Sequence, residues 1–384
     1  MVKHRRPRRF PRRLELLSQG IRIKSVINNR TQRDDGILRF ANVLKYGHLW
    51  SLSLIIVTLL MTACGNRETA EEKPTTESAL APESAGEMTK IRLPMGYIPD
   101  PQYAPFYVAV ERGYFSEEGL DIEFDYSFET DGIALVGAGE LPFAVVSGEQ
   151  VILARAQNLP VVYIMEWFQR FPIAVISKAG SGIKEPSDLA GRTVGLPGFF
   201  GASYVGYAGL LSANQIAAED VNASDIGFTQ VESLLTDQVE AVVGYVNNEP
   251  VQLAARGEDV NVIMVADSTD LIANGIITNE ETISTNPQLI SRFVRALMRG
   301  LSDTLDDPDQ AFEISKNYVE ALDDTRKDVL DASLALWQSD PLGITDAESW
   351  TNTQETLLEI GFLDAPLADL ESSFTNEFLS SNQP

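Results

Sequence analysis

From Lys90 to Asn279 short apolar runs alternate with stretches of helical spacing, and this alternation limits the fold more than any other feature. "KIRLPMG" reads as a strand, and "APFYVAVERG" as a helix ended by Gly113 in a left-handed cap. "DIEFDYSF" places Ile122, Phe124 and Tyr126 on one face, the pattern of a half-buried strand. "LPFAVVS" is apolar on both faces, as a central parallel strand should be. Further strands are expected at "PVVYIM", "PIAVISK", "RTVGL", "DIGF", "EAVVGY", "VNVIMV" and "NGIITN". Beyond Asn286 only helices are expected, near 287–304, 309–321, 325–338 and 346–359, with a last one near 366–379. Repeated βα units with a helical tail predict an α/β body with a mostly parallel sheet. The aromatic crossing "EWFQRF" divides the series in two, which predicts two lobes: 90–170 with 275–384, and 171–274.

What precedes this body differs from it in charge. Residues 1–63 hold 13 of the 30 Lys and Arg but 3 of the 55 acids. The remainder carries 17 basic against 52 acidic residues, a formal charge of −35. Such a body repels nucleic acid and anionic lipid heads, so neither is an expected partner. Leu52–Ala63 is an uncharged apolar run of twelve residues, short of the roughly 20 that span a bilayer. A basic head, a short apolar core and small residues form the pattern of a secretory signal. Here Thr62 and Ala63 stand directly before Cys64, the only cysteine. The segment 64–89 is rich in Glu, Thr, Ser, Ala and Pro and reads as a flexible tether.

At "GYIPDPQYAPFYVAVERGYFSEEGLDIEF" the sequence resembles the solute-binding proteins of ABC importers, in the SsuA/THI5-like branch that binds thiamine precursors, alkanesulfonates or riboflavin. "LVGAGELPFAVVSGEQVILARAQNLPVVYI", "SGIKEPSDLAGRTVGLPG" and "VEAVVGYVNNEP" continue the likeness in order. "TAC" at Cys64 likewise resembles a bacterial lipoprotein cleavage box, in which the new N-terminal cysteine is acylated, although Met61 departs from it. The resemblance implies a type II periplasmic-binding-protein fold, with ligand in the cleft between two lobes. It further implies a lipid-anchored monomer on the extracytoplasmic face of the cell membrane, serving a permease and its ATPase.

Ligands of open α/β sheets bind beyond the carboxyl ends of the strands. Collecting those loops gives Tyr97, Asp100, Gln102 and Tyr103, then Ser147, Gly148, Glu149 and Gln150, then Trp167, Phe168 and Gln169. The second series offers Phe199, Phe200, Gly201, Ser203 and Tyr204, then Tyr245, Asn247, Asn248 and Glu249. Of Trp167 and Phe168, one is expected to pack inward and the other to face the cleft. Phe106, Tyr107, Val110 and Tyr207 fall at helical spacing and are assigned to the core. The candidate set is aromatic and amide-rich, with Arg170 the one cation at the crossing. A flat neutral heteroaromatic ring suits it, stacked on aromatic faces with amides and carboxylates on its edges. Within the resemblance that points to riboflavin, with a thiamine pyrimidine precursor or an alkanesulfonate as alternatives.

Catalysis is the competing class, because some relatives of these binders make the thiamine pyrimidine. Both histidines, His4 and His48, precede Cys64, so the body offers no imidazole and no further thiol. Cysteine nucleophiles, histidine acid–base chemistry and most zinc sites are thereby removed. No catalytic residue, metal or cofactor is expected.

Overall fold

The computed structural model describes residues 88–379. The leader, Cys64 and nearly all of the tether lie outside the described residues. The first strand opens at Thr89, one residue inside the stretch read as tether.

Ten strands fall into three sheets among the described residues. β1 (Thr89–Gly96) and β2 (Leu120–Phe128) form a parallel pair. β3 (Ala144–Ser147) and β4 (Val161–Glu166) flank β10 (Asn274–Asn279), which runs antiparallel to both. The third sheet has the order β7-β6-β8-β5-β9. Its strands are β5 (Ile173–Lys178), β6 (Thr193–Leu196), β7 (Asn222–Asp225), β8 (Ala241–Tyr245) and β9 (Val260–Met264).

The mostly parallel sheet expected from the βα alternation is therefore corrected. β6 is parallel to β7 and β8, but β5 is antiparallel to β8 and β9. β5 is the strand by which the chain enters the five-stranded sheet, and β10 is the strand by which it returns to the three-stranded sheet after leaving it. They follow β4 and β9 without an intervening α-helix and run against their neighbours.

The helix Pro287–Asp306 shows how the tail is held. Its buried Leu289, Ile290, Phe293, Val294, Leu297 and Leu301 recur at three- and four-residue intervals, the spacing of one helix face. It packs on the helix Ala104–Glu111 so closely that a Cβ on Gly300 would lie 2.2 Å from the Pro105 carbonyl oxygen. Phe106 and Tyr107 are fully buried and Tyr207 nearly so, as assigned, while Val110 is partly buried against the core.

The helix expected near 366–379 is reduced to one 3-10 turn, Glu371–Ser373. The segment instead spends its backbone on β4: Phe374 bridges to Tyr163, and the Thr375 N–H donates to the Tyr163 carbonyl at 2.9 Å. Phe374 then stacks on Trp350, ring centroids 5.0 Å apart. No helix among the described residues is long and apolar enough to cross a membrane.

Candidate functional site

The cleft forms where the chain turns after its strands. β1 stops at Gly96, whose φ is +81° and whose added Cβ would meet Glu129 Cγ at 2.7 Å. A side chain there would be strained and would push Glu129 aside. Downstream, Asp100 is 1% exposed, accepts from the Gln102 backbone N–H at 3.0 Å and pairs with Arg326. Those bonds pin the turn Pro101–Tyr103, from which Gln102 and Tyr103 line the cleft. The Tyr103 hydroxyl donates to the Met95 carbonyl at 2.7 Å, and its ring lies 5.5 Å from that of Trp167. Trp167 and Phe168 stand at the crossing, where both backbone N–H groups donate to the Asn274 carbonyl, at 3.0 and 2.9 Å. Both are buried and both line the cleft, rather than one turning away.

A chain of polar groups crosses one wall. The Tyr245 hydroxyl donates to Asn274 Oδ1 at 3.1 Å, and Asn274 Nδ2 donates to Glu129 Oε1 at 2.8 Å. Ser147 Oγ lies 3.0 Å from Glu129 Oε2 and 2.5 Å from Glu149 Oε1. One hydroxyl proton cannot serve two carboxylates, so a carboxyl proton must supply the second bond. Burial agrees: it raises both acids above the usual carboxylate range, and the Glu149 charge raises Glu129 further.

The five-stranded sheet supplies the opposite wall. Phe200 precedes the helix Gly201–Ala213, which brings Ala202 and Ser203 to the cleft. Phe228 follows β7, and Gln230 opens the helix Gln230–Leu235. After β8 come Asn248 and Glu249, with Glu249 Oε2 accepting from the Tyr245 N–H at 2.7 Å. Burial, with the Asp100 charge adding to it, pushes the Glu249 carboxyl up to about 7.

At the mouth the two walls touch through rings. Phe128 meets Phe200 and Phe228 at centroid distances of 5.5 and 5.6 Å, and Tyr97 meets Phe228 at 4.9 Å. The cleft encloses about 800 Å³ out to its open mouth.

Of the residues expected from sequence, Tyr97, Gln102, Tyr103, Trp167, Phe168, Phe200, Gly201, Ser203, Tyr245, Asn248 and Glu249 line this cleft. The others stand behind or beside it. Asp100 caps the turn, and Ser147 and Glu149 back Glu129. Gly148 packs on Ile272, and Gln150 donates to Glu149 at 2.9 Å. Gln169 donates to the Glu166 carbonyl, and Asn247 donates to Ser333 Oγ at 2.7 Å. Phe199 lies edge-on to Tyr204, which turns away to Phe362.

Sequence reasoning missed Phe128, Glu129, Thr130, Phe228, Gln230 and Asn274, all of which line the cleft. The first five end or follow β2 and β7, and the strand-end rule applied to those two strands finds them. Asn274 begins an antiparallel strand opposite Ser147, so a rule built for parallel strands overlooks it. No group of three or more His, Cys, Asp or Glu among the described residues could hold a metal ion.

Comparison with known proteins places this geometry. Residues 100–311 match the family described as NMT1/THI5 like. The chain is 40% identical to the riboflavin-binding protein RibY of Chloroflexus aurantiacus, over 85% of this chain and 96% of that one. It is 28% identical to the formylaminopyrimidine-binding protein of Halalkalibacterium halodurans, over 85% and 98%. At 25% identity, over 73% and 84%, it is similar to the 4-amino-5-hydroxymethyl-2-methylpyrimidine phosphate synthase of Aspergillus parasiticus. Among solved structures it superposes on the periplasmic aliphatic sulphonate binding protein SsuA from Escherichia coli with a TM-score of 0.60, at 13% identity over 74% and 91%. The fold is that of the periplasmic binding proteins, as the sequence resemblance implied.

Proposed function

The chain belongs to the NMT1/THI5-like family, and on that premise we propose that it is the solute-binding component of an ABC importer whose ligand is riboflavin. One observation carries the reading: the cleft is walled by aromatic rings, amides and buried carboxyls, without a Lys, Arg or His among the described residues that line it. A sulfonate or phosphate would lack a counter-charge there, whereas a flat neutral ring finds stacking faces and hydrogen-bonding edges. The 40% identity to a protein named riboflavin-binding supports the flavin over a pyrimidine.

In this reading 90–170 with 275–384 forms one lobe and 171–274 the other. Riboflavin touches Tyr97, Gln102, Tyr103, Phe128, Trp167 and Phe168 on one side. Phe200, Ser203, Phe228, Tyr245, Asn248 and Glu249 meet it from the other. Contact with both lobes favours the closed arrangement by differential affinity. Asp100, Ser147, Glu149 and Gln150 hold these groups in place. The protein performs no reaction in this account, and the pyrimidine-synthase relatives share its fold without sharing its task. It acts as a monomer, anchored through acylated Cys64 on the extracytoplasmic face of the cell membrane, and delivers ligand to a permease with its ATPase.

Native mass spectrometry of the purified chain tests the assignment. The expected species carries one riboflavin; a pyrimidine in its place, or conversion of the bound molecule, would refute it.

A further inference from the structure

Two glutamines in the cleft stand apart from their neighbours. Gln102 and Gln230 are 4% and 5% exposed, line opposite walls, and have no side-chain hydrogen-bond partner among the described residues. Other glutamines near the cleft bond within the protein: Gln150 to Glu149, Gln169 to the Glu166 carbonyl, Gln252 to Asn248. Neither amide is sealed off from the cleft, so a ligand entering it can take the hydrogen bonds that water would otherwise make. An amide offers a donor and an acceptor side by side, so its natural complement is a C=O beside an N–H, or a hydroxyl. Neither residue titrates, which suits recognition of a neutral molecule.

Their positions differ. Gln102 sits in the turn pinned by Asp100 and Arg326, next to Tyr103, whose ring lies against Trp167 on the aromatic floor. Gln230 lies two residues beyond Phe228, which is 36% exposed at the mouth. We propose that Gln102 reads the C=O/N–H imide edge of the bound ring and Gln230 reads its hydroxylated side chain. The ring therefore enters imide-first, with the hydroxyls toward the mouth. This rests on the flavin reading above and adds to it the ligand's orientation and the groups that select it.

The test is a titration of the full chain with riboflavin, riboflavin methylated on the imide nitrogen, lumiflavin (the same ring without the hydroxylated chain), and lumazine. Wild type is expected to bind the imide-methylated flavin and lumiflavin each at least about tenfold more weakly than riboflavin. Gln102→Met should lose about tenfold for riboflavin and cease to distinguish the methylated imide, while still rejecting lumiflavin. Gln230→Met should show the reverse. Equal binding of riboflavin and its imide-methylated form by wild type overturns the proposal without help from any variant, even if both variants misfold. Folded variants that keep both discriminations overturn it too. If lumazine binds and riboflavin does not, the flavin reading fails while imide recognition survives; if nothing binds, both fall.

Discussion

Phe128 and Phe228 lie ring against ring across the mouth of the cleft, centroids 5.6 Å apart with 28° between their planes. Phe128 ends β2 and Phe228 follows β7, so this contact joins two sheets at the mouth of the cleft. Both rings keep a large exposed area, 43% and 36%, and the fold does not depend on them. Such a pair contributes about 1 kcal/mol. Phe128→Ala and Phe228→Ala are therefore expected to accelerate ligand dissociation about fivefold while leaving the melting temperature within a few degrees of wild type. Stopped-flow release and thermal unfolding measure the two effects separately.

Asp100 and Arg326 form the buried bond on which the Pro101–Tyr103 turn depends. Asp100 is 1% exposed, so removing its partner leaves a carboxylate in a dry site. Arg326→Met should cost about 3 kcal/mol of stability and weaken ligand binding through Gln102 and Tyr103. Adding Asp100→Asn to that variant should recover much of the stability. Chemical denaturation of the two single variants and the double variant checks the cycle.

Glu166 and Glu249 are both pushed up to about 7, chiefly by burial. A carboxyl raised above its unfolded value near 4.5 favours the folded state while protonated, and that contribution fades as pH rises through about 7. The chain should melt at a higher temperature at pH 5.5 than at pH 8.5. Glu166→Gln, which does not line the cleft, should flatten the profile by raising stability on the alkaline side. Melting curves across that range are the check; a steeper loss in the variant would contradict the assignment.

Cys64 lies outside the described residues, and its proposed acylation is tested chemically. Cells expressing the chain should incorporate labelled palmitate, and Cys64→Ser should abolish the label.

Much of the site was legible because two signals agreed. Tyr97, Gln102, Trp167, Tyr245 and Glu249 sit at strand ends and are also aromatic or polar where a loop needs neither. Phe128 escaped because it closes the alternating face of "DIEFDYSF", where a phenylalanine looks like one more core residue. Asn274 escaped because periodicity does not report strand direction, and β10 runs against its neighbours. Glu149 was misplaced by one layer for a different reason. Sequence marks the loop after β3 but cannot tell that Ser147 Oγ is shared between Glu129 and Glu149, with Gln150 donating to Glu149 as well. The tail helix near 366–379 failed because tertiary pairing with β4 overrode local helical spacing.

The central claim is that the aromatic cleft holds a flavin, and flavin fluorescence reports on it directly. Titrating riboflavin with the purified chain should quench its emission to saturation at one ligand per chain, at micromolar concentrations or below. Emission unchanged at micromolar protein, with the chain folded by circular dichroism, would contradict the account.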